Sequence, residues 1–151
     1  MIEIIDFHPK YAARFKELNL EWLDKFNLTE EHDLLMLNNP EQEIIAPGGF
    51  IFLAISGETP VGSAALIKEG ENEFELAEMV VSPAFQGQGI SKLLLEKCLA
   101  TARNQEAKRI FLLSNSQLKN ALALYEKSGF EYITVTNSHY DSADIMMQLF
   151  L

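Results

Sequence analysis

The residues that could do chemistry begin at a glycine-bearing turn. Met79-Val80-Val81 is a short apolar run that stops at Pro83, and Gln86-Gly87-Gln88-Gly89 follows before Ile90-Ser91 opens an amphipathic segment. A strand, a loop of backbone amides and a helix N-terminus in series suit an anion, ordinarily phosphate or pyrophosphate. Several N–H groups then point outward at the positive end of a helix dipole. Gly87 and Gly89 lack Cβ atoms, so the backbone can take positive φ and let a ligand approach closely. A plain strand-to-helix turn would use the same residues. Two familiar phosphate loops are excluded. A P-loop needs Gly-Lys-Ser/Thr, and no Gly-Lys occurs. A dinucleotide fingerprint needs a third glycine where Lys92 stands, and an acidic residue after the next strand, which here ends in Ser114-Asn115.

Other titratable groups are scattered. Glu75 and Glu78 lie on the strand leading into the turn, where a solvated charge and a general base are both open readings. His8, His32 and His139 could titrate near neutrality, but each is isolated in sequence, so surface roles are expected. Cys98, the single cysteine, sits on an apolar helix face and reads as a small buried hydrophobe. No Cys/His cluster has metal-ligand spacing, so no metal is expected.

The elements that must position these residues follow from periodicity. Ile90, Leu93, Leu94, Cys98, Leu99 and Ala102 recur at three- and four-residue spacing and predict a long helix. Lys108 to Leu113 is a strand, and Leu118, Ala121, Leu122 and Tyr125 share one face of a shorter helix that stops at Ser128-Gly129. Upstream, Ile2–Ile5 reads as a strand. Pro9 opens a helix to about Phe26 with Tyr11, Phe15, Leu18, Trp22 and Leu23 as its stripe, and a second short helix ends before Pro40. Residues 41 to 49 read as a loop. Phe50–Ile55, Val61–Ile67 and Glu73–Ser82 form a meander, and residues 145 to 151 a last strand. A single mixed α/β domain over 1–151 is expected.

Ala121-Leu122-Ala123-Leu124-Tyr125-Glu126-Lys127-Ser128-Gly129-Phe130 resembles the A-x-x-x-Y-x-x-x-G-F element of the GNAT superfamily of N-acetyltransferases. The upstream loop resembles that family's acetyl-CoA signature, Gln/Arg-x-x-Gly-x-Gly/Ala, on Gln86, Gly89 and Ser91. The two lie in the family's order and at its usual separation. Ser91 stands where the family usually has Gly or Ala; it is small and its hydroxyl adds a donor. Leu118 stands where many members place Asn, with Asn115 and Asn120 nearby.

The resemblance implies the GNAT fold, a twisted mixed sheet in the order β-α-α-β-β-β-α-β-α-β-β. It implies acetyl-CoA as co-substrate, its pyrophosphate on the amides of Gln86, Gly87, Gln88, Gly89, Ile90 and Ser91, with Lys92 and Lys127 nearby. Its pantetheine would run along a bulged strand at Met79, Val80 and Val81, close to Asn115. Tyr125 resembles the family's tyrosine that protonates the departing thiolate. Glu75 falls near a position where some members place a catalytic glutamate, while many use water instead. The acceptor amine, a small molecule or a peptide, would sit among Glu21, Trp22, Phe26, Asp33, Tyr140 and Asp141. A non-catalytic CoA-binding or interaction module on the same fold is the alternative, and a homodimer is an open option.

Charge sharpens the partner. The chain carries a net charge of −10, which argues against nucleic acid. Through Val81 there are five Lys and Arg against sixteen Asp and Glu; from Ser82 there are seven against six. The half with the glycine turn is near neutral, as a polyanionic co-substrate requires. The acidic half suits a cationic amine, though solubility alone would also use it. No apolar run reaches membrane-span length and no signal-peptide pattern opens the chain, so the expected setting is cytoplasmic, with no membrane partner.

Overall fold

The computed structural model describes residues 1–151. Its strands are β1 (Ile2–Asp6), β2 (Phe50–Ser56), β3 (Thr59–Glu69), β4 (Glu73–Val81), β5 (Arg109–Ser114), β6 (Glu131–Ile133) and β7 (Ile145–Phe150). Its helices are α1 (Ala12–Lys25), α2 (Glu31–Asn38), α3 (Ile90–Asn104) and α4 (Lys119–Lys127). The seven strands form one sheet in the order β1-β2-β3-β4-β5-β7-β6. Every neighbouring pair is antiparallel except β4 and β5, which are parallel. This is the mixed α/β architecture expected from the sequence.

Helices cover both faces. Ile51, Leu53 and Ile55 of β2, with Ala65 and Ile67 of β3, pack against Phe15 of α1 and Met36 and Leu37 of α2. The alternate residues Phe52, Ala54, Ala64 and Leu66 pack against Leu94, Leu95 and Cys98 of α3. A sheet buried on both faces explains why the central strands are continuous apolar runs rather than alternating ones. No helix is long and apolar enough to cross a membrane.

Two local readings are corrected. Leu93 is 43% exposed and Leu95 is buried in its place. At 100° per residue Leu95 falls inside the arc from Ile90 to Leu99, and Leu93 falls outside it. The stretch read as a loop at 41–49 holds a π-helical turn, Glu41–Ile45, closed by Ala46 N–H donating to Glu41 O at 2.7 Å and Gly49 N–H to Ile44 O at 2.8 Å. Its Ile44 is fully buried, which anchors the turn in the core under α1 and α2.

Candidate active site

The parallel pairing of β4 with β5 is short. It runs from Glu73↔Arg109 to Leu76↔Leu112 and then ends. Beyond that point β4 stays with β3 and β5 stays with β7, so the two strands diverge and leave a wedge with an unpaired β4 edge. Ala77, Glu78 and Met79 line one wall of the wedge, and Leu112, Leu113 and Ser114 the other.

A bulge shapes the β4 wall. Ser63 pairs with Val80 and Ala65 with Ala77, so Ala64 alone opposes Glu78 and Met79. Glu78 takes φ +49°, a left-handed conformation rare outside glycine. Buried polar groups hold it there. Asn19 Nδ2 donates to Ser63 Oγ at 3.0 Å, and Ser63 Oγ–H donates to Glu78 O at 2.7 Å. Asn19 is 2% exposed and Ser63 fully buried, so the relay is held inside the fold up to its half-buried end at Glu78.

The glycine turn follows the end of β4. Gly87 and Gly89 have φ of +79° and +80°, which only glycine adopts without strain. A Cβ at either position would meet nothing within 4 Å, so it is conformation and the space in front of the loop, not crowding, that calls for glycine. No carbonyl or side chain of the protein accepts from the N–H groups of Gly87 through Lys92, and Gly89 provides no side-chain cap to α3. Six open amides at a helix N-terminus fit a pyrophosphate. The Gln86 side chain donates to Val81 O at 3.0 Å and ties the loop to the strand end.

Tyr125 of α4 is 7% exposed, and its ring lies 5.8 Å from that of Phe130. Its hydroxyl donates only to the Met79 thioether, at 3.8 Å. Burial, and then Cys98, hold the phenol above its usual range, so it stays protonated at neutral pH, with only a weak acceptor within the protein. Cys98 itself is pushed up to about 12 by burial and is no nucleophile.

Three carboxylates face the same cavity. Glu75 is 2% exposed and raised to about 7 by burial, with Glu69 and Asp33 adding repulsion. Asp33 of α2 is raised to about 6, mainly by burial. Glu78 lies well above the usual carboxylate range through burial, the nearby Asp33 and Glu75, and a side-chain hydrogen bond with Asp33. No Lys or Arg lines this cavity.

A loop between β6 and β7 roofs it. Glu30, at the N-cap of α2, accepts from Asp141 N–H at 2.7 Å, Ser142 N–H at 3.2 Å and the Ser142 hydroxyl. Against the burial that would raise it, these bonds hold the Glu30 carboxyl below its usual value. Asn115 Nδ2 donates to Ser142 O at 2.7 Å from the β5 side. His32 stacks on His139 with ring centres 4.8 Å apart and meets Tyr140 edge-on at 5.0 Å. The two histidines expected at separate surface positions are therefore paired beside the roof.

The structure brings Trp22, Asp33, Glu75, Met79, Asn115, Tyr125 and Tyr140 around one cavity. Glu21, with Trp22, instead lines a second, smaller crevice beside Val80 and Val81. Phe26 borders neither and packs on Trp22 at 4.8 Å. Val80 and Val81 bury their side chains, so what they offer a ligand is main chain. Asp141 is exposed and contributes its N–H to Glu30. Sequence reading missed Asn19, Ser63, Glu30 and Ser142. A polar residue inside an apolar stripe, as at Asn19 and Ser63, was the available signal for the first two. Nothing local marked the others.

A twisted mixed sheet split between its fourth and fifth strands, with open amides at the following helix, defines an acyl-CoA-type transferase fold. The model of the Acetyltransferase (GNAT) family matches residues 13–130, and the chain belongs to that family. It is 32% identical over 102 residues to the N-alpha-acetyltransferase RimI of Mycobacterium tuberculosis, covering 66% of this chain and 63% of that one. A GNAT-family acetyltransferase from Staphylococcus aureus Mu50 superposes with a TM-score of 0.92 at 25% identity over 99% of both chains. The PaiA N-acetyltransferase of Thermoplasma acidophilum, solved in complex with coenzyme A, shares the fold at a TM-score of 0.78 and 17% identity, over 100% of this chain and 99% of that one. The match covers between 39% and 64% of the length of these curated relatives.

Proposed function

We propose that this protein is an N-acetyltransferase that moves an acetyl group from acetyl-CoA directly to a primary amine in a ternary complex. The observation that carries the reading is the wedge between β4 and β5, with the Tyr125 hydroxyl and the Glu75 carboxyl both bordering it. The open amides of Gly87 to Lys92 would receive the pyrophosphate, and the unpaired β4 edge from Met79 to Val81 the pantetheine. Glu75, poised near neutrality, would take a proton from the incoming ammonium, leaving the nitrogen lone pair to form the new N–C bond. As the C–S bond breaks, Tyr125 would give its proton to the sulfur, and the second proton, shed by the newly acylated nitrogen, would restore the phenol. The reading includes a cytoplasmic setting and a cationic amine as partner, in keeping with the acidic N-terminal half.

Tyr125→Phe tests it. The ring still packs and only the hydroxyl is lost. Turnover, read as thiol release, should fall by about a hundredfold or more, with CoA affinity within about twofold of the parent. Parent-like turnover in the variant would remove Tyr125 from the mechanism. Tight CoA binding by the parent, with no thiol released to any of a broad panel of amines, would favour the non-catalytic module.

A further inference from the structure

The cavity holds more carboxylate than one proton transfer needs. Asp33 comes from α2, and Glu75 and Glu78 from β4, Glu75 ahead of the bulge and Glu78 in it. None of the three forms an ion pair within the protein, and no basic residue lines the space they face. Glu75 is 2% exposed and borders the cavity, and no group of the protein donates a hydrogen bond to its carboxylate. An unpartnered carboxylate at that depth is costly to keep unless something that enters the cavity supplies the missing charge.

We propose that the acceptor carries a second ammonium group, and that Asp33 and Glu78 form the subsite that holds it; this rests on the acetyl-transfer reading above. Glu75 serves the reacting amine. Asp33 and Glu78, bonded side chain to side chain, together present one net negative charge that the reaction does not use. Trp22 and Tyr140 add aromatic surface to the same space, which suits an alkylammonium chain. The cavity measures about 130 Å³, and its roof is tied to α2 through Glu30. That room admits a slender aliphatic diamine more readily than a lysine on a folded surface.

The test is calorimetric titration of the CoA-saturated protein with diaminobutane, aminobutane and aminobutanol at neutral pH, with thiol release measured on the same three amines. Diaminobutane should bind about thirtyfold more tightly than aminobutane. Aminobutanol, which offers a hydrogen bond without the charge, should resemble aminobutane. Glu78→Gln and Asp33→Asn should each bring the diamine-to-monoamine ratio to within about threefold of one. The ratio on the unaltered protein decides the matter even if a variant folds poorly. Equal binding of diamine and monoamine, or of diamine and aminobutanol, overturns the subsite, and thiol release in that case leaves acetyl transfer standing. A clear diamine preference without thiol release supports the subsite and overturns the transfer reading.

Discussion

The acidic cavity lies at the β4 bulge and the glycine turn beyond the end of that strand, and in the proposed function they would recognise ligands by opposite means. The turn offers an anion six consecutive amides, Gly87 to Lys92, and no carboxylate is required to shape them. The cavity gathers Asp33, Glu75 and Glu78 from α2 and β4, under a roof more than a hundred residues away in sequence from the Glu30 that pins it. One site is made of backbone in a fixed local conformation. The other is made of side chains that tertiary packing brings together. The first should therefore break through conformation and the second through charge.

The largest break is expected at the turn. Gly89→Val places a β-branched residue at φ +80°, a conformation that costs such a residue about 1–3 kcal/mol. It also projects an isopropyl group into the open space in front of the amides, where nothing of the protein lies within 4 Å. The fold has no clash to resolve there, so thermal stability should change little beyond the strain. CoA affinity by calorimetry should fall by about a hundredfold as the loop relaxes and the amides turn away. Unchanged affinity would remove the turn from the binding site.

The next break is made with pH. Glu75 must be ionised to accept a proton and titrates at about 7, so kcat/KM should fall about tenfold per pH unit below that value and level off above it. The same group opposes stability. Its folded value of about 7 exceeds the ordinary 4.5, so the native state binds more protons than the unfolded chain between those limits. Stability contributed by the protonated form is full below 4.5 and lost as pH rises through 7, by about 3 kcal/mol. Glu75→Gln should therefore lose the acidic limb of whatever turnover remains and, above pH 7, melt about 5 °C higher than the parent. A variant less stable than the parent at that pH would mean that the carboxylate has a partner in the folded state.

The contrast between the two sites also explains what the sequence made legible. The turn was readable because its strand end, glycines and helix start occupy consecutive positions. Tyr125 was readable because the α4 periodicity puts it on the buried face and its neighbours match a family element. The pairing order around β4 needed the resemblance, since periodicity shows only that the strands are buried on both faces. The bulge was expected only from the resemblance, at Met79 to Val81; its place at Glu78 and Met79 had no local signal, because Glu78, not glycine, takes the left-handed conformation, held by Ser63 from the neighbouring strand. His32 with His139, and Glu30 with Ser142, meet only after α2 packs beneath the β6–β7 loop. No spacing rule links residues so far apart.

The smallest expected effect joins the two sites. Ser63→Ala removes the hydroxyl that donates to Glu78 O and accepts from Asn19 Nδ2. Glu78 O, half-buried, loses its donor, while Asn19 Nδ2 keeps its bond to Phe15 O at 2.9 Å; one unsatisfied group costs about 1–3 kcal/mol, so the melting temperature should drop by a few degrees. The bulge should loosen rather than vanish, because Ala65↔Ala77 and Ser63↔Val80 pairing still frames it. Glu78 O and the Met79 edge would then be less well aimed, and turnover should fall a few-fold while CoA affinity, set chiefly at the turn, stays within about twofold. Ser63→Thr keeps the hydroxyl and should recover turnover if the buried site accommodates one more methyl. Equal loss of turnover and CoA affinity in Ser63→Ala would show that the bulge supports the whole cleft, and that the two sites are not separable after all.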